Sequence, residues 1–310
     1  MNDRQRRTGI PLVPSSTNKS ARRLPCPAGP HSALLLISPT WLVLGLLFLV
    51  PLAIMLWLSL QQRGLYGGIV AGPTLANYIR SFEPGYALIY ARSAWIAVAT
   101  TVICLLVSYP VAYYIALKAP PEKKHLLLAL VVIPFWTSFL VRTYAWMFIL
   151  RDQGVINSLL MALGVIHEPL TLLYTPLAVM IGQVYAEVPF MVLPIYASLE
   201  KLDRSLLEAA RDLGASAAAA FWRVTVPLAM PGTVAGIMLV FIPSLGTFIT
   251  PDLLGGAKGM LVGNLIQNQF GPALNKPFGS AVALVLTAFV LALLWAYATW
   301  AKRRGEEEAL

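Results

Sequence analysis

The decisive stretch runs from residue 199 to 232. It opens Leu199-Glu200-Lys201-Leu202-Asp203-Arg204-Ser205-Leu206-Leu207-Glu208-Ala209-Ala210-Arg211-Asp212-Leu213-Gly214-Ala215-Ser216 and closes with Val226-Pro227-Leu228 and Pro231-Gly232. Ser205 and Glu208 have the S-x-x-E spacing of a capping box that starts a helix. Leu206, Leu207, Ala210 and Leu213 fall on one face of that helix, and Arg204, Glu208, Arg211 and Asp212 on the other. Gly214 stands where a helix end takes positive φ. Ser216 is placed to cap a second short helix, which Pro227 is expected to end. The product is a helix, a glycine bend and a helix, with the small residues Ala209, Ala210, Gly214 and Ala215 permitting close approach. Such a shape suits a groove in another protein. A surface amphipathic helix in which Glu208 serves only as a cap satisfies the same pattern.

Apolar runs flank this segment on both sides. Of the 310 residues, 58% are apolar and 12% charged, against roughly 45–50% and 25% in ordinary soluble domains. So little charge cannot cover a globular surface in water. A soluble enzyme, a disordered chain and a nucleic-acid binder are all disfavoured, despite the net charge of +9. A spanning helix needs about 20 mostly apolar residues. Six candidates fall near 34–60, 90–117, 125–150, 173–198, 232–254 and 278–300. The first is too long for a signal-peptide core and lacks a small-residue cleavage pattern, so it reads as a retained helix. An all-α, six-span membrane protein is expected, its transmembrane domain occupying 34–302 with the 199–231 segment inserted.

Lys and Arg set the orientation. They concentrate in the N-terminal tail, the 118–124 loop (Lys118, Lys123, Lys124), the 199–231 segment (Lys201, Arg204, Arg211, Arg223) and the C-terminal tail (Lys302, Arg303, Arg304). That places both termini and the 199–231 segment in the cytoplasm. Trp295, Tyr297 and Trp300 before Lys302 fit an interfacial belt on that side. The tail at 1–33, rich in Arg, Pro and Ser, is expected to be disordered, with an attraction to anionic lipid. Residues 303–310 form a second, charged tail.

Two acids cannot be placed in the loops. Glu187 lies near the middle of the fourth span and Asp252 at the outer end of the fifth. A charge at mid-bilayer costs roughly 2.5–3.5 kcal/mol on insertion scales, so such a group faces a cavity or a partner. Glu187 either lines a translocation path that favours cations or pairs with Arg142 of the third span; both readings stand. Asp252 reads as an interfacial cap or as a path residue. Trp136, Tyr144, Trp146, Tyr185 and Phe190 offer aromatic faces to an ammonium, and each also fits ordinary packing. Pro110, Pro134, Pro189, Pro194 and Pro243 interrupt the apolar runs, with Gly182 and Gly246 as further soft points. Between 257 and 277, Leu261, Leu265, Ile266 and Phe270 share one helical face, with Asn264, Gln267 and Asn268 on another. This predicts a short helix lying on the outer surface, a candidate dock for a binding protein.

Chemistry-bearing motifs are missing from the sequence. It holds no G-x-x-x-x-G-K-[ST], H-E-x-x-H or G-x-S-x-G. The three His are scattered, and Cys26 and Cys104 are improbable partners. No catalytic, metal or cofactor site is expected. If movement of a solute is driven by ATP, the ATPase is another chain.

Glu208-Ala209-Ala210, Gly214, Val226-Pro227-Leu228 and Pro231-Gly232 resemble the EAA loop of binding-protein-dependent ABC importer permeases. A narrower resemblance, to the spermidine/putrescine permeases, is carried by Pro134 to Trp146, Leu172 to Pro176, Tyr196 to Glu200, Thr250 to Gly256 and Gly263 to Phe270. Thr247 departs from it, since relatives usually carry an acid there. The resemblance implies the type I importer permease fold in a bacterial inner membrane, and import of a polyamine. It implies a second homologous permease, two ATPase copies carrying ATP and Mg, and a periplasmic substrate-binding protein. Ser205, Glu208, Ala209, Ala210, Arg211, Asp212, Gly214 and Pro227 then form the ATPase-coupling segment. Carriage of another small organic solute is an alternative within the family. An ion-coupled secondary transporter, a rival class, predicts internal repeats that the sequence does not show. A membrane-embedded enzyme needs a cluster of reactive side chains, and only Glu187 and Arg142 lie in the spans.

Overall fold

The computed structural model describes residues 30–307, except 65–66, 71 and 257–258. The expected tail at 1–33 with Cys26, and the last residues of the C-terminal tail, lie almost wholly outside them. Two units divide the chain, Met1–Leu52 and Ala53–Leu310. In the first, the described part belongs to helix α1 (Pro30–Ser59). All later elements belong to the second.

A two-residue hairpin, β1 (Gln62–Arg63) antiparallel to β2 (Ile69–Val70), is a small exception to the all-α expectation. Then come α2 (Ala76–Ser81), α3 (Pro84–Tyr113), α4 (Pro121–Val132), α5 (Phe139–Leu150) and α6 (Val155–Ala162). The chain continues with α7 (Pro176–Glu200), α8 (Arg204–Asp212), α9 (Ala217–Ala220) and α10 (Val226–Leu228). It ends with α11 (Met230–Gly246), α12 (Val262–Phe270) and α13 (Lys276–Glu307). Four helices are long and apolar enough to cross a membrane alone, and two bent pairs raise the number to six.

The third span is not the continuous helix expected over 125–150. It bends by 89° between Pro121–Trp136 and Phe139–Ala162. Pro134 sits in a 3-10 turn, and Thr137 and Ser138 are extended. The Pro134 carbonyl freed by the break accepts the Thr137 hydroxyl at 2.7 Å and an Arg142 Nη1–H at 3.1 Å. Neighbouring side chains thus re-satisfy backbone that lipid cannot. The fifth span departs similarly. Helix α11 has 17 residues and stops at Gly246. Thr247 and Phe248 are not helical, and the chain resumes as a turn that widens into a π turn at Pro251–Gly255.

The core is the seam between α3 and α7, with α11 against both. Small residues recur every fourth position along α3: Thr100, Cys104, Ser108 and Ala112, all buried. They let the backbones approach as membrane helix pairs do. The Cys104 thiol and the Ser108 hydroxyl donate to the Val184 and Val188 carbonyls of α7, at 3.8 and 3.3 Å. Gly232 of α11 lies so close to α7 that a Cβ there would stand 2.3 Å from the Pro194 carbonyl oxygen.

Helix α12 corrects another expectation. It forms where the periodicity put it, but its first turn packs inward and only its second half, with Gln267, reaches the surface. Val262, Gly263, Asn264 and Leu265 are buried, and it packs on α13 around Phe278 and Val282. Asn264, assigned to the polar face, turns inward. Its amide donates to the Phe248 carbonyl at 2.9 Å, satisfying backbone at the broken end of the fifth span.

Candidate functional site

The first candidate is the segment linking α7 to α11. Helix α8 forms as expected, but its cap is Asp203, not Ser205. The Asp203 carboxylate accepts the Ser205 backbone N–H at 2.9 Å, which puts Ser205 inside the helix and removes it from the expected capping box. The same hydrogen bond holds the exposed Asp203 carboxyl below the usual carboxylate range. At the other end Gly214 has φ +84°. Its N–H donates to the Arg211 carbonyl (2.8 Å) and the Ala215 N–H to the Ala210 carbonyl (3.0 Å). These are the paired bonds of a Schellman motif. The glycine is required by φ and not by space, because a Cβ there would meet nothing within 4 Å.

No residue of α8 is buried. Glu208, Ala209, Arg211 and Asp212 are exposed, Ala210 is half-buried, and Leu213 is 89% exposed. A strongly amphipathic helix with part of its apolar side, Leu206 and Leu213, left exposed is the arrangement expected of a docking element. A cleft of ≈ 680 Å³ runs beside its base, lined by Pro194, Ser198, Lys201, Asp203, Leu206 and Gly232 among others. Ser216 caps α9 through the Ala219 N–H, as read from the sequence. Pro227 does not end the second arm. A π turn at Phe221–Thr225 widens the helix before it, the chain continues helical through Leu228, and the 65° bend comes between Leu228 and Met230. Pro227 follows directly on the π turn, where the helical bonding is already shifted from the α pattern.

The second candidate lies on α7. Glu187 is half-buried, and its Oε2 is buried without a hydrogen-bond partner. It is not paired with Arg142, whose guanidinium bonds the Pro134 carbonyl and stacks 4.6 Å over the Phe135 ring. Arg142 therefore mends the broken third span. One turn before Glu187, Gln183 is buried; its Oε1 accepts the Thr100 hydroxyl at 3.0 Å and its Nε2 has no partner. Two aromatic contacts join the third span to α7: Trp146 edge-on to Tyr185 (5.5 Å) and Phe135 edge-on to Phe190 (5.2 Å). Trp136, at 87% exposure, and Tyr144 stand outside this group. Asp252 is exposed in the first turn of the π segment, where Thr250 holds the cap position, so the interfacial-cap reading is not realised.

Sequence reasoning missed Gln183, Asp203 and Asn157. Buried Asn157 donates to the Arg151 and Leu170 carbonyls and accepts the Leu170 N–H, pinning the loop between α5 and α7. For Asp203 the available signal was an acid two positions before the expected helix start; Gln183 and Asn157 carried none. Among the described residues no cluster of His, Cys, Asp or Glu is arranged to hold a metal.

Known proteins match this chain over most of its length. It is 43% identical over 258 residues to the spermidine/putrescine transport system permease protein PotB of Haemophilus influenzae, covering 83% of this chain and 89% of that one. Against PotB of Escherichia coli the identity is 46% over 224 residues, 72% and 81% of the two chains. Among solved structures, a bacterial ABC transporter that imports the acidic polysaccharide alginate contains a chain of the same fold. Its TM-score is 0.69 at 16% identity, over 88% of this chain and 95% of that one. The family model for the inner membrane component of binding-protein-dependent transport systems matches residues 108–305. The chain therefore belongs to the family of binding-protein-dependent transport system inner membrane components, as a multi-pass permease subunit and not an enzyme.

Proposed function

We propose that this permease subunit forms half of a translocation pathway for polyamines, and that α8 and Gly214 couple it to a separate ATPase. One observation carries the coupling assignment: an amphipathic helix, capped at both ends, with no residue of its own buried and Leu213 bare. The polyamine assignment rests on the level of identity to the two permeases named for spermidine and putrescine. A second, homologous permease completes the pore. Two ATPase chains bind ATP and Mg and hydrolyse the ATP, and a periplasmic protein delivers cargo. Both termini and α8 lie in the cytoplasm, following the distribution of Lys and Arg. Residues 34–302 form the transmembrane domain, and the basic tail at 1–33 and the charged one at 303–310 flank it.

Within the membrane, Glu187 faces the pathway and favours cations. Its Oε2 is unpartnered, and it makes no ion pair with Arg142, whose Nη1 bonds the Pro134 carbonyl. Tyr185, on the same helix, and Trp146, which meets it where the third span contacts α7, supply aromatic surface. The mechanism is alternating access: closure of the ATPase dimer moves α8, and the spans rock so that only one state accepts cargo from outside.

The test is purification of the tagged chain from its native membrane, followed by uptake of labelled spermidine in proteoliposomes. Recovery of an ATPase in stoichiometric amount, and ATP-dependent uptake, are expected. Transport by the purified chain alone, driven by an ion gradient, would refute the reading.

A further inference from the structure

Two π turns stand at the α8 end of the bundle, and neither is explained by the coupling segment itself. One closes the second span: α3 runs into a π turn at Tyr114–Lys118, where the Ala119 N–H reaches back five residues to the Tyr114 carbonyl at 2.8 Å. Pro110 removes a backbone bond just before it. The other follows α9, at Phe221–Thr225. A π turn spaces its hydrogen bonds more widely than an α-helix and is found disproportionately at functional sites.

One side chain joins them. Phe221, the first residue of the second π turn, presents its ring edge-on to both Tyr109 and Tyr113 of α3. Both centroid separations are 5.6 Å, at 85° and 79°. The two tyrosines stand four residues apart on one helix face, so Phe221 sits as a wedge between consecutive turns. Its neighbour Trp222 is exposed and packs edge-on against it at 5.2 Å, so Phe221 is the aromatic of this turn that meets α3. Helix α8 packs directly against the Phe221–Thr225 turn as well as α9. Helix α3 in turn forms the main seam with α7, which carries Gln183 and Glu187. A continuous path of contacts thus runs from the exposed helix, through one phenylalanine, to the spans that enclose the intramembrane acid.

We infer that Phe221 is the positioning residue that carries movement of the coupling segment into the second span, by pushing on the Tyr109–Tyr113 step. The inference rests on the proposed role of α8. It adds that the stroke enters the membrane through α3 and not only through the covalent link to α11. Edge-to-face contact is a preferred arrangement of aromatic pairs, so drawing Phe221 away from Tyr109 and Tyr113 costs free energy. The π turns on either side supply places where the backbone can yield. A small side chain at 221 would let α8 move without moving α3.

The experiment compares Phe221→Ala, Phe221→Tyr and wild-type complexes in proteoliposomes, reading ATP hydrolysis stimulated by the loaded binding protein and spermidine uptake in the same vesicles. Wild-type copurification of the ATPase tests the underlying reading separately. Given that, Phe221→Ala is expected to keep the ATPase bound and hydrolysing while uptake per ATP falls roughly tenfold. Phe221→Tyr, which keeps the ring, restores the ratio. If Phe221→Ala does not assemble, the double change Tyr109→Leu with Tyr113→Leu removes the same step from the α3 side and is expected to lower the same ratio. An assembled Phe221→Ala complex, or the double-leucine complex in its place, with wild-type uptake per ATP overturns the inference, whatever the ATPase assignment.

Discussion

Gly214→Leu separates a coupling role from a packing role. The backbone there has φ +84°, which costs an L-residue about 1–2 kcal/mol. A chain that escapes this strain by leaving the left-handed region gives up the two bonds that end α8, Gly214 N–H to Arg211 and Ala215 N–H to Ala210. Each is worth about 0.5–1.5 kcal/mol. Packing does not offset the loss, because α8 is nine residues long and buries none of them, and helices so short are marginal alone. Taking about 1–2 kcal/mol, the population with an ordered end falls roughly 5- to 30-fold. The fold itself should survive, since a Cβ at 214 meets nothing within 4 Å. The assay is paired: hydrogen exchange over 204–215, and uptake against stimulated ATPase activity in the reconstituted complex. Normal membrane insertion with fast exchange in α8 and uptake uncoupled from hydrolysis is expected. Gly214→Asn, which visits the left-handed region more readily, should retain more coupling. A Gly214→Leu complex with normal exchange, ATPase stimulation and uptake would refute the reasoning.

Other residues give narrower tests. Glu187→Gln should reduce spermidine uptake without lowering membrane insertion; unchanged transport kinetics count against a pathway role for the unpartnered carboxylate. Gly232→Val drives side-chain atoms into the Pro194 carbonyl and Ser198 of α7, and overpacking of this kind costs about 1–3 kcal/mol or more. The variant should melt lower in detergent, with no such change for Val at Gly246, where nothing lies within 4 Å. Asp203 carries a pH dependence of known sign. Its pKa is lowered in the folded protein by the Ser205 N–H, so its contribution to α8 is present above the ordinary aspartate range and lost as pH falls through the lowered value. Protection of the Ser205 and Leu206 amides, taken relative to their intrinsic exchange rates, should fall on acidification, and Asp203→Asn should abolish that pH dependence.

Much of this architecture is legible in the residues. Apolar length sets the number of spans, because a bilayer leaves few alternatives. The glycine bend is equally plain: Gly214 followed by a serine cap leaves little else for the backbone to do. What could not be read was which backbone bonds a proline breaks and what mends them. Pro134 announces an interruption, but the 89° bend depends on Thr137 and Arg142 reaching back to its carbonyl. The same accounting redirects Arg142 away from Glu187. Periodicity places α12 correctly yet turns Asn264 to the wrong side, because an amide is as content with a free carbonyl as with water. Asp203 and Ser205 compete for one cap, and a small difference in register decides between them. The Phe221 contact pairs residues more than 100 positions apart, beyond the reach of any local pattern.

The central claim is that α8 faces the cytoplasm and is held by an ATPase. The most direct measurement introduces Leu213→Cys in a Cys26→Ser background, Cys104 being buried. In native membranes the introduced thiol should cross-link to the ATPase, and a membrane-impermeant maleimide added to intact cells should leave it unlabelled. Labelling of that thiol from outside intact cells, with no cross-linked ATPase, would contradict the account.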